Sequence, residues 1–182
     1  VGPGARRGVR APLGDGRLVT SFHPNLPGAF DRTRRAVSVA SPAAIGSVPV
    51  GTSRLHRLPS FSDPRGSIVI NQAPEELPFA PTRLFQVFAV PPGELRGDHA
   101  HRRCHQFVMA LTGSVSVVAE DAQGRHRVEL DAPDLGLHIP PRTWAIQLDF
   151  SADARVLVLA SEPYDRGEYI DDYEEFRSLK LK

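Results

Sequence analysis

The chain has 182 residues, 41% of them hydrophobic and 24% charged, with a net charge of +1. That suffices for one core and one domain, offers nucleic acid no electrostatic handle, and includes no apolar run near the ~18 residues of a membrane-crossing helix. Cys104 is the only cysteine, so no intramolecular disulfide forms, and a reducing compartment, the cytoplasm, is expected.

Residues 1–52 are rich in Gly, Pro, Ala and Ser, and residues 1–50 hold seven arginines against only Asp15 and Asp31. Without a sustained period of 2 or 3.6, the segment reads as a disordered leader, and the folded domain is expected over 53–182. The turn Asp63-Pro64-Arg65-Gly66 leads into a strand over 67–70. Further strands are predicted over 83–90, 95–101, 105–111, 114–120, 125–130, 137–139, 144–149 and 155–160. The 105–111 and 114–120 pair, hinged at Thr112-Gly113, reads as an antiparallel hairpin, and Asp121-Ala122-Gln123-Gly124 is a hairpin turn. Short strands at this spacing indicate a sandwich or barrel. Tyr169, Ile170, Tyr173 and Phe176 recur at helical spacing among Asp and Glu, predicting an amphipathic C-terminal helix that docks on the barrel or on a partner subunit.

The stretch from Arg96 to Gln106 carries His99, His101 and His105 within seven residues. In an extended chain, alternation puts His99, His101, Arg103 and His105 on one face. Imidazoles so arranged serve as metal ligands, as acid/base groups, or as ordinary surface residues.

Gly93, His99, His101, Gln106 and Gly113 stand at the spacings of the first motif of the cupins, with glutamine where those jelly-roll barrels carry glutamate. A neutral amide is a far poorer ligand for a divalent metal than a carboxylate. The second cupin motif offers a further histidine, whereas here the stretch is Pro140-Pro141-Arg142-Thr143-Trp144, and an indole ligates no metal. The resemblance implies an all-β cupin jelly roll with a C-terminal α-helix and a dismantled metal site.

A closer resemblance runs through Asp63-x-Arg65-Gly66, Pro78-Phe79, Arg83, Arg96-Gly97-x-His99-Ala100-His101, Gly113-Ser114, Gly136-Leu137, Trp144, Phe150-Ser151, Leu157 to Ser161, Tyr164-Asp165, Tyr169-Ile170 and Tyr173. This series resembles the sugar-nucleotide 3,4-ketoisomerases, the WxcM-like and FdtA/QdtA-type proteins. It implies a metal-free, cofactor-free isomerase, acting as a homodimer, that moves the ketone of a dTDP-4-keto-6-deoxyhexose from C4 to C3 in deoxysugar biosynthesis.

The residues suit that chemistry. The shift removes the proton α to the ketone, passes through an enediol and returns a proton to the neighbouring carbon. Histidine both accepts and donates near neutral pH, so His99 and His101 are assigned as the acid/base pair, with His99 favoured as the proton shuttle. Guanidinium matches a diphosphate bidentately, which makes Arg65, Arg83 and Arg96 the candidate partners of the nucleotide. Trp144 is expected to stack on the base or wall the sugar pocket, and Gln106 to bond the substrate or hold a histidine. His105 falls outside the family pair, and His23, His56, His126 and His138 carry no pattern. Two departures stand out: Phe85-Gln86-Val87-Phe88 replaces a strand that commonly holds tyrosines, and Ala145-Ile146-Gln147 replaces a polar His-Glu pair. The alternatives are a metal enzyme built on His99, His101 and His105, a 3,5-epimerase on the same fold, and a non-catalytic sugar-nucleotide binder.

Overall fold

The computed structural model describes residues 37–38 and 46–180. Its strands, in chain order, are β1 (Val37–Ser38), β2 (Gly46–Val50), β3 (Ser53–Arg57), β4 (Ser60–Asp63), β5 (Gly66–Val69), β6 (Arg83–Phe88), β7 (Arg96–His101), β8 (Gln106–Thr112), β9 (Val115–Asp121), β10 (Gly124–Leu130), β11 (Leu135–Ile139), β12 (Trp144–Leu148), β13 (Arg155–Ala160) and β14 (Tyr169–Ile170); helix α1 spans Tyr173–Lys180. Two six-stranded sheets result, ordered β1-β10-β9-β12-β7-β14 and β2-β3-β11-β8-β13-β6, with β4 and β5 as a separate hairpin.

Alternation sorts the side chains. Val108 and Ala110 of β8, Val115 and Val117 of β9, Leu135 and Leu137 of β11, and Val156 and Val158 of β13 point inward and meet in one buried cluster, against which Phe85, Val87 and Ala145 pack. Full burial of each larger aliphatic side chain contributes about 1.5–3 kcal/mol, so this apolar half holds the two sheets face to face. Phe107, Met109 and Leu159 point the other way, into a smaller cluster with Leu58 and Leu77.

Three expectations need correction. Gly46–Val50 falls inside the predicted leader yet pairs antiparallel with β3 along its whole length; Pro49 is tolerated because β2 is the end strand of its sheet. The rest of that leader, residues 1–36 and 39–45, lies outside the described residues. The hairpin predicted at Thr112-Gly113 does not form, because β8 pairs with β11 and β13 while β9 pairs with β10 and β12. Gly113, at φ +64, turns the chain from one sheet to the other, and the corner is held by Ser114 N–H donating to Ser151 Oγ and Ser151 N–H donating to Ser114 O. The C-terminal helix starts at Tyr173, later than its apolar spacing suggests, since Tyr169 and Ile170 form β14 opposite His101 and Ala100.

The sheet ends position the site. Strand β7 lies beside the last strand of one sheet and β6 is the last strand of the other, so the inward residues Arg83 and Phe85 share the barrel interior with His99 and His101.

Candidate active site

Strand β7 carries a bulge. Ala145 stands opposite His99, but Ile146 stands opposite Gly97 and Gln147 opposite Arg96, so Asp98 is an extra residue. Gly97 and Asp98 both take positive φ, +78 and +60. A side chain at Gly97 would press its Cβ to 2.6 Å from Ala145 O, which only glycine avoids. The Trp144 indole N–H donates to Asp98 Oδ1 at 3.1 Å, pinning the bulge from the outer side. Skipping one residue returns Arg96 to the face of His99, a placement that simple alternation denies.

His99 Nδ1 lies 2.9 Å from Gly97 O. A carbonyl oxygen only accepts, so Nδ1 carries the proton and the neutral ring keeps its lone pair on Nε2. His101 is 6% exposed; its Nε2 lies 2.9 Å from the Gln106 amide nitrogen, while its Nδ1 is buried with no partner among the described residues. The two rings meet edge to face at 4.9 Å, and Tyr169 packs on both, at 4.8 Å from His99 and 4.5 Å from His101. Burial lowers the pKa of His99. Burial, reinforced by His99 and Arg83, lowers that of His101 to about 4. Both imidazoles are therefore neutral near pH 7, the form that accepts a proton.

Tyr169 is held there by the turn before it. Buried Glu168 accepts from Arg103 N–H at 2.9 Å and from Arg103 Nε at 2.8 Å, and Arg102 N–H donates to Glu168 O at 2.9 Å. Around the mouth, the Arg83 guanidinium lies over the rings of Phe85 and Tyr164 at 5.3 and 5.7 Å. Arg83 Nε is buried without a partner among the described residues. Arg166 lies 5.4 Å from the centre of the Tyr169 ring and pairs with Asp171.

The predicted site residues thus separate. His99, His101, Gln106 and Arg83 converge, and Arg96 shares the inner face but is exposed, its Nη1 donating to Leu95 O. Arg65 is elsewhere within this chain: it sits on the β4–β5 hairpin, exposed and paired with Asp63 at 2.5 Å. Trp144 cannot wall the sugar pocket, because its partner Glu120 and neighbours Tyr173 and Phe176 lie outside the barrel. His105 leaves the strand face altogether. The chain leaves β7 after His101 and bends at Arg102 and Arg103, and His105 Nδ1 lies 3.0 Å from His138 Nε2 with the rings stacked. The three-histidine metal set is therefore not assembled. Tyr164, Arg166 and Tyr169 were missed as site residues because their proximity arises from the fold; the match at Tyr164-Asp165 and Tyr169-Ile170 was the available signal.

Comparison with known proteins decides the family. Residues 51–181 match the family FdtA, described as WxcM-like, C-terminal. The chain belongs to this family. It is 36% identical over 120 residues to the TDP-4-oxo-6-deoxy-alpha-D-glucose-3,4-oxoisomerase of Aneurinibacillus thermoaerophilus, a match covering 66% of this chain and 86% of that enzyme. Two solved structures of 3,4-ketoisomerases resemble it. One is a histidine-to-asparagine variant of the 3,4-ketoisomerase QdtA from Thermoanaerobacterium thermosaccharolyticum in complex with TDP-4-keto-6-deoxyglucose, at TM-score 0.69 and 28% identity over 72% of this chain and 96% of that one. The other is the TDP-quinovose 3,4-ketoisomerase WlaRB from Campylobacter jejuni, at TM-score 0.67 and 33% identity over 70% and 98%. The expected cupin jelly roll is the fold of this FdtA-family chain.

Proposed function

We infer that the protein is a dTDP-sugar 3,4-ketoisomerase, moving the ketone of a dTDP-4-keto-6-deoxyhexose from C4 to C3 in deoxysugar biosynthesis. The observation that carries the assignment of roles is His101: its ring is held at Nε2 by Gln106, and its Nδ1 is buried in the barrel without a partner among the described residues. This moves the carbon proton from His99, the sequence-based choice, to His101. Neutral His101 takes the proton from C3, giving an enediol, and returns it to C4. A neutral ring with a low pKa is a carrier that does not retain its proton. In this cycle the Gln106 amide, turned to present Oε1, accepts from Nε2–H, so the lone pair of the neutral ring lies on Nδ1, the atom that takes up and returns the proton. His99, with a free Nε2 lone pair beside the same centre, serves the proton moving between the two oxygens.

The diphosphate is assigned to Arg83, supported by its unpartnered Nε, with Arg96 and Arg166 at the rim. Tyr164, 66% exposed, offers a face for the base. The reaction needs no metal: the glutamate position holds an amide bonded to His101, and Trp144 is outside the barrel. The protein acts as a homodimer in a reducing, cytoplasmic setting. Phe61 and Ile68 are cross-strand partners on the hairpin and are both exposed, as are Leu84 and Phe88 on end strand β6; these apolar faces suit a second copy, and the hairpin carries Arg65 with it. The lone Cys104 is buried as a free thiol.

Incubation with dTDP-4-keto-6-deoxyglucose tests the reading, with the 3-keto product followed by NMR and C5 staying protonated in D2O, which an epimerase would not allow. His101→Asn is expected to lower kcat by ~10²–10⁴-fold with dTDP affinity retained. No 3-keto product from the wild type, or an active His101→Asn variant, would overturn it.

A further inference from the structure

Gln147 has no part in the reaction above. It stands on β12, opposite Val117 of β9 on one side and Arg96 of β7 on the other, and so shares the inner face with His99. It is 7% exposed, and its Oε1 is buried without a hydrogen-bond partner among the described residues. A buried amide oxygen left unpaired destabilises a fold, and such atoms in native structures are few. The inner position next to Gln147 on the side of His99 holds small side chains: Ala145 faces Ala119 on one side and His99 on the other. An acceptor therefore waits beside the histidine pair, with methyl groups in front of it.

We propose that Gln147 is a specificity-determining residue that accepts a hydrogen bond from the C2 hydroxyl of the hexose. This rests on the ketoisomerase reading, which sets C3 and C4 before the histidine pair. Beyond C4 lies C5 with its methyl group, which offers no donor; beyond C3 lies C2 with a hydroxyl that the reaction does not consume. The C2 hydroxyl is thus the donor that a residue one step along the inner face can read without entering the chemistry. Because the contact is the same before and after the ketone moves, it acts through binding.

The test compares dTDP-4-keto-6-deoxyglucose with its 2-deoxy analogue on wild type and on Gln147→Met. Wild type is expected to favour the 2-hydroxy substrate about tenfold in kcat/KM, the worth of one hydrogen bond. Gln147→Met is expected to bring the ratio to within about twofold, through KM, with dTDP affinity unchanged. Equal use of the two substrates by wild type, or an unchanged ratio in the variant, overturns the proposal. Should the methionine variant not fold, Gln147→Leu carries the same comparison, and the wild-type ratio alone retains the power to refute. If wild type turns over neither sugar, the ketoisomerase reading falls; calorimetric Kd values for the two sugar nucleotides then still decide the C2 contact, equal values refuting it.

Discussion

Replacing Gly97 by alanine separates the two demands placed on the β7 bulge. One is conformational: at φ +78 an L-residue sits in the left-handed region, which costs about 1–2 kcal/mol. The other is steric, since the new Cβ would lie 2.6 Å from Ala145 O. That oxygen is backbone of the neighbouring strand, and the overlap is relieved only by parting β7 from β12, at a further cost of about 1–3 kcal/mol. Gly93 supplies the reference, with φ +85 and nothing within 4 Å of where an alanine Cβ would stand. Gly93→Ala is thus expected to lose about 1–2 kcal/mol, or roughly 2–8 °C in Tm for a chain of this size, while keeping kcat within about twofold. Gly97→Ala is expected to lose about 2–5 kcal/mol and, because Gly97 O holds His99 Nδ1, to lower kcat by about 10²-fold as the ring shifts. Differential scanning calorimetry and the NMR product assay read the two effects. Equal Tm losses in both variants, with kcat intact in Gly97→Ala, would refute the claim that the close approach positions His99.

Other perturbations test other parts of the structure. Gln106→Glu sets a carboxylate about 2.9 Å from His101 Nε2, which favours the imidazolium and raises its pKa from about 4; the acid limb of kcat/KM against pH should move to higher pH, and an unmoved limb would count against His101 as the base. His101 and His138 are both buried with pKa values lowered to about 4, so the folded state resists protonation that the unfolded chain accepts below about 6.5. Stability is expected to be full above that pH and to fall as the pH drops toward 4, by up to ~3 kcal/mol per group. His138→Gln should flatten part of that fall in urea titrations at a series of pH values, and a flat wild-type profile would contradict the burial argument. Phe61→Asp combined with Ile68→Asp should turn a light-scattering mass of about twice 19.9 kDa into that of one chain; an unchanged dimer would place the interface elsewhere.

Where the sequence was legible, the reason is local. The strands from β6 to β13 show through alternation and turn chemistry, both properties of neighbouring residues. β4 does not, because Ser60-Phe61-Ser62-Asp63 is exposed throughout and lacks a buried face. Nor does β2, whose proline and glycine resemble those of the leader. Alternation also names a face without naming a partner, which is why β8 and β9 read as a hairpin although they belong to different sheets. At Tyr169 and Ile170, helical spacing coincided with a two-residue strand, and pairing to His101 and Ala100 prevailed.

The same distinction explains the site. His99, His101 and Gln106 lie within eight residues, so their association survives in one dimension. Gln147 and Tyr169 reach the histidines only through strand pairing. Trp144 shows what the bulge conceals: cross-strand pairing places it with Glu120 outside the barrel and Ala145 with His99 inside. Its indole still matters to the histidines, through Asp98 and the backbone turn that restores Arg96 to their face. The Gln106 side chain then sets what the inner face can do. A carboxylate at that position would anchor a cation and hold both imidazoles as ligands. The amide instead leaves His101 Nδ1 free, so the geometry that could hold a metal here presents a proton carrier.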